Sequence, residues 1–226
     1  MGQPAHLADK NLLTAQLTLV RLGGMKVIGL TGGIGSGKST VARFLKEMGA
    51  VAINTDKAGH EALKPDTGIW REVVVAFGRE IIKPNGEIDR KKLGEIVFKS
   101  PEALLRLNKI VHPYIYNKVK AQLERCRRRG VKVVVLEVPL LLELAAIKPA
   151  LADEADEVWV TIAPESTVVR RQKEKSGMSE EQTRARIRSQ LSSAERQKQA
   201  DVVIETDCSL DELRGKVGEL WQKLDI

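Results

Sequence analysis

Short apolar runs alternate along this chain with longer amphipathic stretches. Lys26-Val27-Ile28-Gly29-Leu30-Thr31 is apolar almost throughout, too short for a helix, and ends in glycines. That pattern predicts a parallel strand buried on both faces. From Ser39 to Met48 the residues Val41, Phe44 and Leu45 share one helical face, and Gly49 supplies a stop. Ala50–Asn54 reads as a second strand. Between about Asp56 and Gly130 the spacing turns helical, with Ser100-Pro101-Glu102 as a helix start and Gly130 as an end after an arginine-rich turn. Val131–Val138 is the strongest strand signal, and Val158–Ile162 and Val202–Ile204 complete the set. Strands separated by helices are the signature of an α/β fold, here five parallel strands with helices on both faces.

Between the last two strands, roughly Pro164 to Ala200 is dense in charge and broken at Ser176-Gly177-Met178-Ser179. Ser179 followed by Glu180, Glu181 and Gln182 resembles a capping box, and Glu180 with Arg184 makes an i,i+4 pair. A helical hairpin is expected there, about 164–200. No internal repeat and no low-complexity linker interrupts the chain. The helical stretch 57–130 therefore reads as an insertion packed on the sheet within one domain, 25–226. Residues 1–24 carry a weakly amphipathic segment (Leu12, Leu13, Leu17, Leu19, Val20, Leu22) before Gly23-Gly24 and Met25. That segment lacks the long apolar core and cleavage site of a secretory signal and is expected to be a mobile extension outside the fold.

Composition narrows the function classes. The 226 residues are 42% hydrophobic, enough for a real core, and the formal net charge of +7 draws in anions such as nucleotides, phosphorylated metabolites or nucleic acid. The run Arg125, Arg127, Arg128 and Arg129 reads as a solvated helix face. Cys126 and Cys208 lie far apart without metal-ligand spacing, which fits a reducing cytosol. No apolar run approaches the roughly 18 residues of a membrane-spanning helix. A cytoplasmic protein without a membrane partner is expected.

The chemistry concentrates in Gly32-Gly33-Ile34-Gly35-Ser36-Gly37-Lys38-Ser39, which fits G-x-x-x-x-G-K-[ST] and sits after a strand at the opening of a helix, where that phosphate-binding loop belongs. Backbone amides of Gly33, Ile34, Gly35, Ser36 and Gly37 approach the phosphates, with Lys38, Ser39 and Thr40 following at the helix N-terminus. Lys38 neutralises the β/γ-phosphates, and the Ser39 hydroxyl is a ligand for Mg²⁺. Asp56 comes one helix and one short strand later, so it emerges at the carboxyl edge of the sheet, where ligands bind. It is either a catalytic group or an N-cap of the next helix. Glu137, ending the apolar run Val133–Leu136, either holds Mg²⁺ through water or pairs with a nearby cation. Phosphoryl transfer needs cations on the migrating group, delivered by a mobile cover. Arg170, Arg171, Lys173, Lys175, Arg184, Arg186 and Arg188 on the hairpin are the candidates, Arg171 first. His112, before Pro113 and between two helical stretches, is either a packed loop histidine or part of the site.

An ordered set of residues extends beyond this loop. It runs through Ile28–Lys38, Asp56, Ile88-Asp89-Arg90, Leu93, Phe98 and His112-Pro113. It continues with Val138-Pro139-Leu140-Leu141-Leu142-Glu143, Ser189-Gln190 and Ala200-Asp201. From about Met25 to Asp207 this resembles the dephospho-CoA kinases. The resemblance implies ATP-dependent phosphorylation of the ribose 3′-hydroxyl of dephospho-CoA by a nucleotide core, a CoA-binding helical part and a lid. It further implies Asp56 as the base and Arg171 in the lid, with Thr31, Asp56, Arg90, His112, Pro139 and Leu140 on the substrate side. Three residues depart from the family pattern: Lys175 replaces a second lid arginine, Thr206 an asparagine after the last strand, and Asn54 the first acid of an acid-x-acid pair.

Other functions fit less of the chain. A nucleoside or nucleoside-monophosphate kinase would use the same loop, lid and sheet. A GTP switch is suggested by Asp56-Lys57-Ala58-Gly59, which matches D-x-x-G, but that match comes too soon after the loop. Asn108-Lys109-Ile110-Val111 also lacks the aspartate that reads guanine. The aromatic content of 4% counts against single-strand nucleic-acid binding by stacking.

Overall fold

The computed structural model describes residues 24–97, 99–138, 153–224 and 226. Its centre is a five-stranded sheet formed by β1 (Lys26–Gly32), β2 (Val51–Asn54), β3 (Val133–Glu137), β4 (Glu157–Ile162) and β5 (Val202–Glu205). The spatial order is β2-β3-β1-β4-β5, and every pairing is parallel. β1 is thus central, and chain order reverses around it. This is the switch point at which open α/β sheets bind ligands beyond the carboxyl ends of their strands.

Alternation along the strands sorts the core into two layers. Ile28, Leu30, Val133, Val135 and Trp159 face one side, where α1 (Lys38–Glu47) packs through Val41, Phe44 and Leu45. The last helix, α9 (Leu210–Gln222), adds Leu213 and Val217 to that layer. Val27, Val134 and Leu136 face the other side and meet Val119, Leu123 and Cys126 of the long helix α5 (Pro101–Arg128). Two aspartates set the strand starts: Asp156 accepts from the Val27 amide at 2.8 Å, and Asp201 from the Val158 amide at 2.7 Å.

The region between β2 and β3 contains α2 (Thr55–Ala62), α3 (Gly68–Phe77), α4 (Arg90–Val97) and α5. These helices gather Ala62, Val73, Phe77, Ile81, Leu93 and Val111 into a third cluster around the N-terminal half of α5. Ile115 touches both this cluster and the one on the sheet. One expectation is corrected here. His112 does not lie between two helical stretches, because α5 runs unbroken through Pro113 for 28 residues. Proline removes one helix hydrogen bond, and the buried residues Val111, Val119 and Leu123 on either side compensate by packing.

Between β4 and β5 the hairpin is present as α6 (Glu165–Ser176) and α7 (Glu180–Arg188), followed by a third short helix, α8 (Ser193–Lys198). Ser179 and Gln182 form the reciprocal capping box, and Arg184 pairs with both Glu180 and Glu165. The unexpected α8 starts at its own capping box, Ser192 with Glu195. Among the described residues no helix is long and apolar enough to cross a membrane.

Candidate active site

The phosphate loop hangs between β1 and α1. Gly35 (φ +65°) and Gly37 (φ +89°) are left-handed and flank Ser36, so handedness alternates along the loop. Such alternation turns successive N–H groups toward one point and makes an anion nest. Both glycines are also forced by contact. A Cβ at Gly35 would sit 2.9 Å from Val168 Cγ1, and one at Gly37 would sit 3.0 Å from Thr206 Oγ1. Beneath the loop, Ser36 Oγ lies 2.7 Å from Thr161 Oγ1, and Thr206 Oγ1 donates to the Ser36 carbonyl at 3.0 Å. Lys38 Nζ donates to the carbonyls of Gly32 (2.6 Å) and Gly33 (3.0 Å), which holds the ammonium over the loop. Ser39 is exposed and Thr40 partly so, both in the first turn of α1.

The sheet register brings the acids to the same edge, since Glu137 pairs with Leu30 on one side and Asn54 on the other. Burial pushes the Glu137 carboxyl above its ordinary range, an effect that Lys46, Lys57 and the Asn54 side chain oppose and Asp56 reinforces. Asn54, not Asp56, is the N-cap of α2, accepting from the Lys57 amide at 3.1 Å. Asp56 is thereby released from capping and stands exposed in the first helical turn. Thr55 Oγ1 ties the same turn to the Glu137 carbonyl at 3.1 Å.

The remaining residues separate. Thr31 is buried at the end of β1, where its carbonyl accepts from Thr161 Oγ1 at 3.3 Å. Arg90 opens α4 and is exposed, and its neighbour Asp89 caps that helix by accepting from the Lys91 and Lys92 amides. His112 is buried in α5, and its Nδ1 has no hydrogen-bond partner among the described residues. Pro139 and Leu140, with Leu141, Leu142, Glu143 and Phe98, lie outside the described residues, as does the extension up to residue 23. Arg171 Nη1 donates to the Gly35 carbonyl (3.2 Å) and Thr206 Oγ1 (2.9 Å), and Nη2 to the Thr206 carbonyl (2.6 Å). Arg170, Lys173, Lys175, Arg186 and Arg188 are exposed.

Two residues that carried no site expectation lie at the loop. Gln190 Oε1 accepts from the Ile34 amide at 3.0 Å, and the Arg196 guanidinium is 3% exposed. Both line a cavity of about 240 Å³ together with Gly33, Ile34 and Thr161. Nothing local marks Arg196, whose sequence neighbours are an ordinary polar helix.

The comparisons agree with this geometry. A family model described as dephospho-CoA kinase matches residues 26–212. A dephospho-CoA kinase of Dehalococcoides mccartyi is 44% identical over 193 residues, which is 85% of this chain and 94% of that relative. Among solved structures, a protein of Thermus thermophilus is 32% identical with a TM-score of 0.76, covering 88% of this chain and 98% of that one. A dephospho-CoA kinase from Campylobacter jejuni is 27% identical with a TM-score of 0.56, covering 88% and 97%.

Proposed function

The chain belongs to the dephospho-CoA kinase family and catalyses the final step of coenzyme A biosynthesis with ATP, and we propose that its acceptor is the ribose 3′-hydroxyl of dephospho-CoA. The observation that carries this reading is the anion nest at Gly35–Gly37, roofed by Lys38, at the sheet edge where Asp56 follows β2 and Glu137 ends β3. Phosphoryl transfer asks little covalent chemistry of a protein, so position and charge supply most of the catalysis. Lys38 and the loop amides hold the β/γ-phosphates. Asp56, exposed and free of capping, accepts the hydrogen of the attacking hydroxyl and aims its oxygen in line with the γ-phosphorus. Arg171 stands at the lid side of the nucleotide, where one hydrogen bond to the Gly35 carbonyl and two to Thr206 hold the guanidinium against the loop.

Among the described residues no three acidic, histidine or cysteine side chains cluster as a ready metal cage. Mg²⁺ in kinases is held by one or two protein oxygens together with phosphates and waters, so the Ser39 hydroxyl and the Glu137 carboxylate fit the need. Bound there, the ion would neutralise charge on the transferring phosphates. Helices within 57–130 would take the CoA portion, with Arg90 and His112 on the substrate side. Segment 164–200 would serve as lid. The free thiols of Cys126 and Cys208 support a cytoplasmic setting.

The test is ADP release, coupled to an indicator, over a panel of acceptors. Dephospho-CoA should turn over far better than adenosine or AMP. Equal turnover of AMP would move the protein to the nucleotide kinases.

A further inference from the structure

A phosphate nest has a back as well as a front. Each peptide plane of the loop is trans, so an N–H turned toward a phosphate turns the carbonyl of the same plane away from it. Those carbonyls call for donors, because Ser36 and Thr206 are buried there. Two donors serve them: Arg171 Nη1 at the Gly35 carbonyl (3.2 Å) and Thr206 Oγ1 at the Ser36 carbonyl (3.0 Å).

Thr206 joins the two. Its Oγ1 accepts from Arg171 Nη1 at 2.9 Å while its carbonyl accepts from Nη2 at 2.6 Å. Its amide donates to the Ile162 carbonyl at 2.9 Å, which fixes the residue to the end of β4. The hydroxyl also lies 3.2 Å from that carbonyl, so its single hydrogen is shared between Ile162 and Ser36. The side chain is 1% exposed. Its methyl and hydroxyl both stand about 3.0 Å from where a Gly37 Cβ would be, so the contact is close as well as polar.

We propose that Thr206 is a positioning residue for nucleotide binding. Its hydroxyl fixes the Ser36–Gly37 peptide plane so that the Gly37 N–H faces the phosphates, and the same oxygen holds the Arg171 guanidinium against the loop. This deepens, and rests on, the reading of the loop as the ATP site.

The experiment titrates ADP into the full-length chain by calorimetry, alongside the variants Thr206→Val, Thr206→Ser and Thr206→Ala. Valine keeps the shape and removes the hydroxyl. Thr206→Val and Thr206→Ala should each weaken ADP binding about tenfold, the equivalent of about 1.4 kcal/mol for one hydrogen bond. Thr206→Ser should stay within about twofold of the parent, and the KM for ATP should rise in the valine variant more than kcat falls. ADP affinity unchanged in Thr206→Val would overturn the proposal, even if its melting temperature dropped, since that pattern belongs to a merely structural contact. Serine as weak as valine would also overturn it, since a hydroxyl at this position would then fail to hold the loop. If the valine variant does not fold, the alanine and serine variants, which differ by one hydroxyl, decide the matter in the same way. A parent chain that binds no ADP would remove the ATP reading beneath the proposal, a failure visible before any variant is compared.

Discussion

Replacing Thr161 by valine deletes a hydroxyl from beneath the phosphate loop with little change of shape. Thr161 Oγ1 is 2.7 Å from Ser36 Oγ and donates to the Thr31 carbonyl at 3.3 Å. Thr161 is 1% exposed and Ser36 4%, so water cannot take the place of the lost partner. Valine fills the same volume, so the cavity cost is small and the penalty is that of orphaning a buried polar group, about 1–3 kcal/mol. At about 2 kcal/mol, and with about 2–4 °C lost per kcal/mol in a chain of this size, Tm should fall by about 6 °C. Differential scanning calorimetry measures this, with Thr161→Ser, which keeps the hydroxyl, as the control. Because Ser36 lies in the nest, ATP binding should weaken in the same variant. A Thr161→Val protein melting within about 1 °C of the parent would refute the argument that this hydroxyl pair supports the loop.

Lys38→Ala should remove nearly all turnover while leaving Tm close to that of the parent, because its ammonium meets loop carbonyls and not the core; normal turnover in a folded variant would sink the phosphate role. Asp56→Asn should lower kcat by about 10²–10⁴-fold with little change in calorimetric ATP affinity; kcat within a few-fold would make Asp56 a surface residue, and abolished ATP binding would make it a nucleotide or metal ligand. Glu137→Gln should separate stability from activity. Burial holds the native carboxyl above its unfolded value, so the native state binds the proton more tightly, and the stability contributed by Glu137 is lost as pH rises through its native pKa. The glutamine variant should therefore melt at or above the parent at neutral pH, with the gap closing as pH falls toward the ordinary value of 4.5. Its turnover should fall about 10- to 100-fold, the usual scale for a group that acts on a metal through water. A variant that melts lower at neutral pH would show that Glu137 is stabilised by its cations after all.

The phosphate loop was legible because its geometry is local: glycines, a lysine and a helix start within eight residues dictate the nest. The strands were legible for a similar reason, since each is a short saturated run that only a doubly covered sheet can bury. His112 shows where local reading fails. Pro113 looks like a boundary, yet packing of Val111 and Val119 on either side carries the helix through. The short helix α8 was hidden for the opposite reason, having no apolar face to announce it. Asp56 could be read as a cap from sequence alone, and only the backbone shows that Asn54 takes that position. The contacts of Gln190 with Ile34 and of Thr206 with Ser36 join residues more than 150 positions apart. No periodicity encodes them.

The most direct test of the account is the identity of the product. Full-length protein incubated with ATP, Mg²⁺ and dephospho-CoA should yield a new phosphomonoester in phosphorus NMR, coupled to the ribose 3′ proton and growing in step with ADP. The Lys38→Ala protein should give neither signal. ADP appearing without that resonance, or a phosphoester at any other position of the acceptor, would contradict the account.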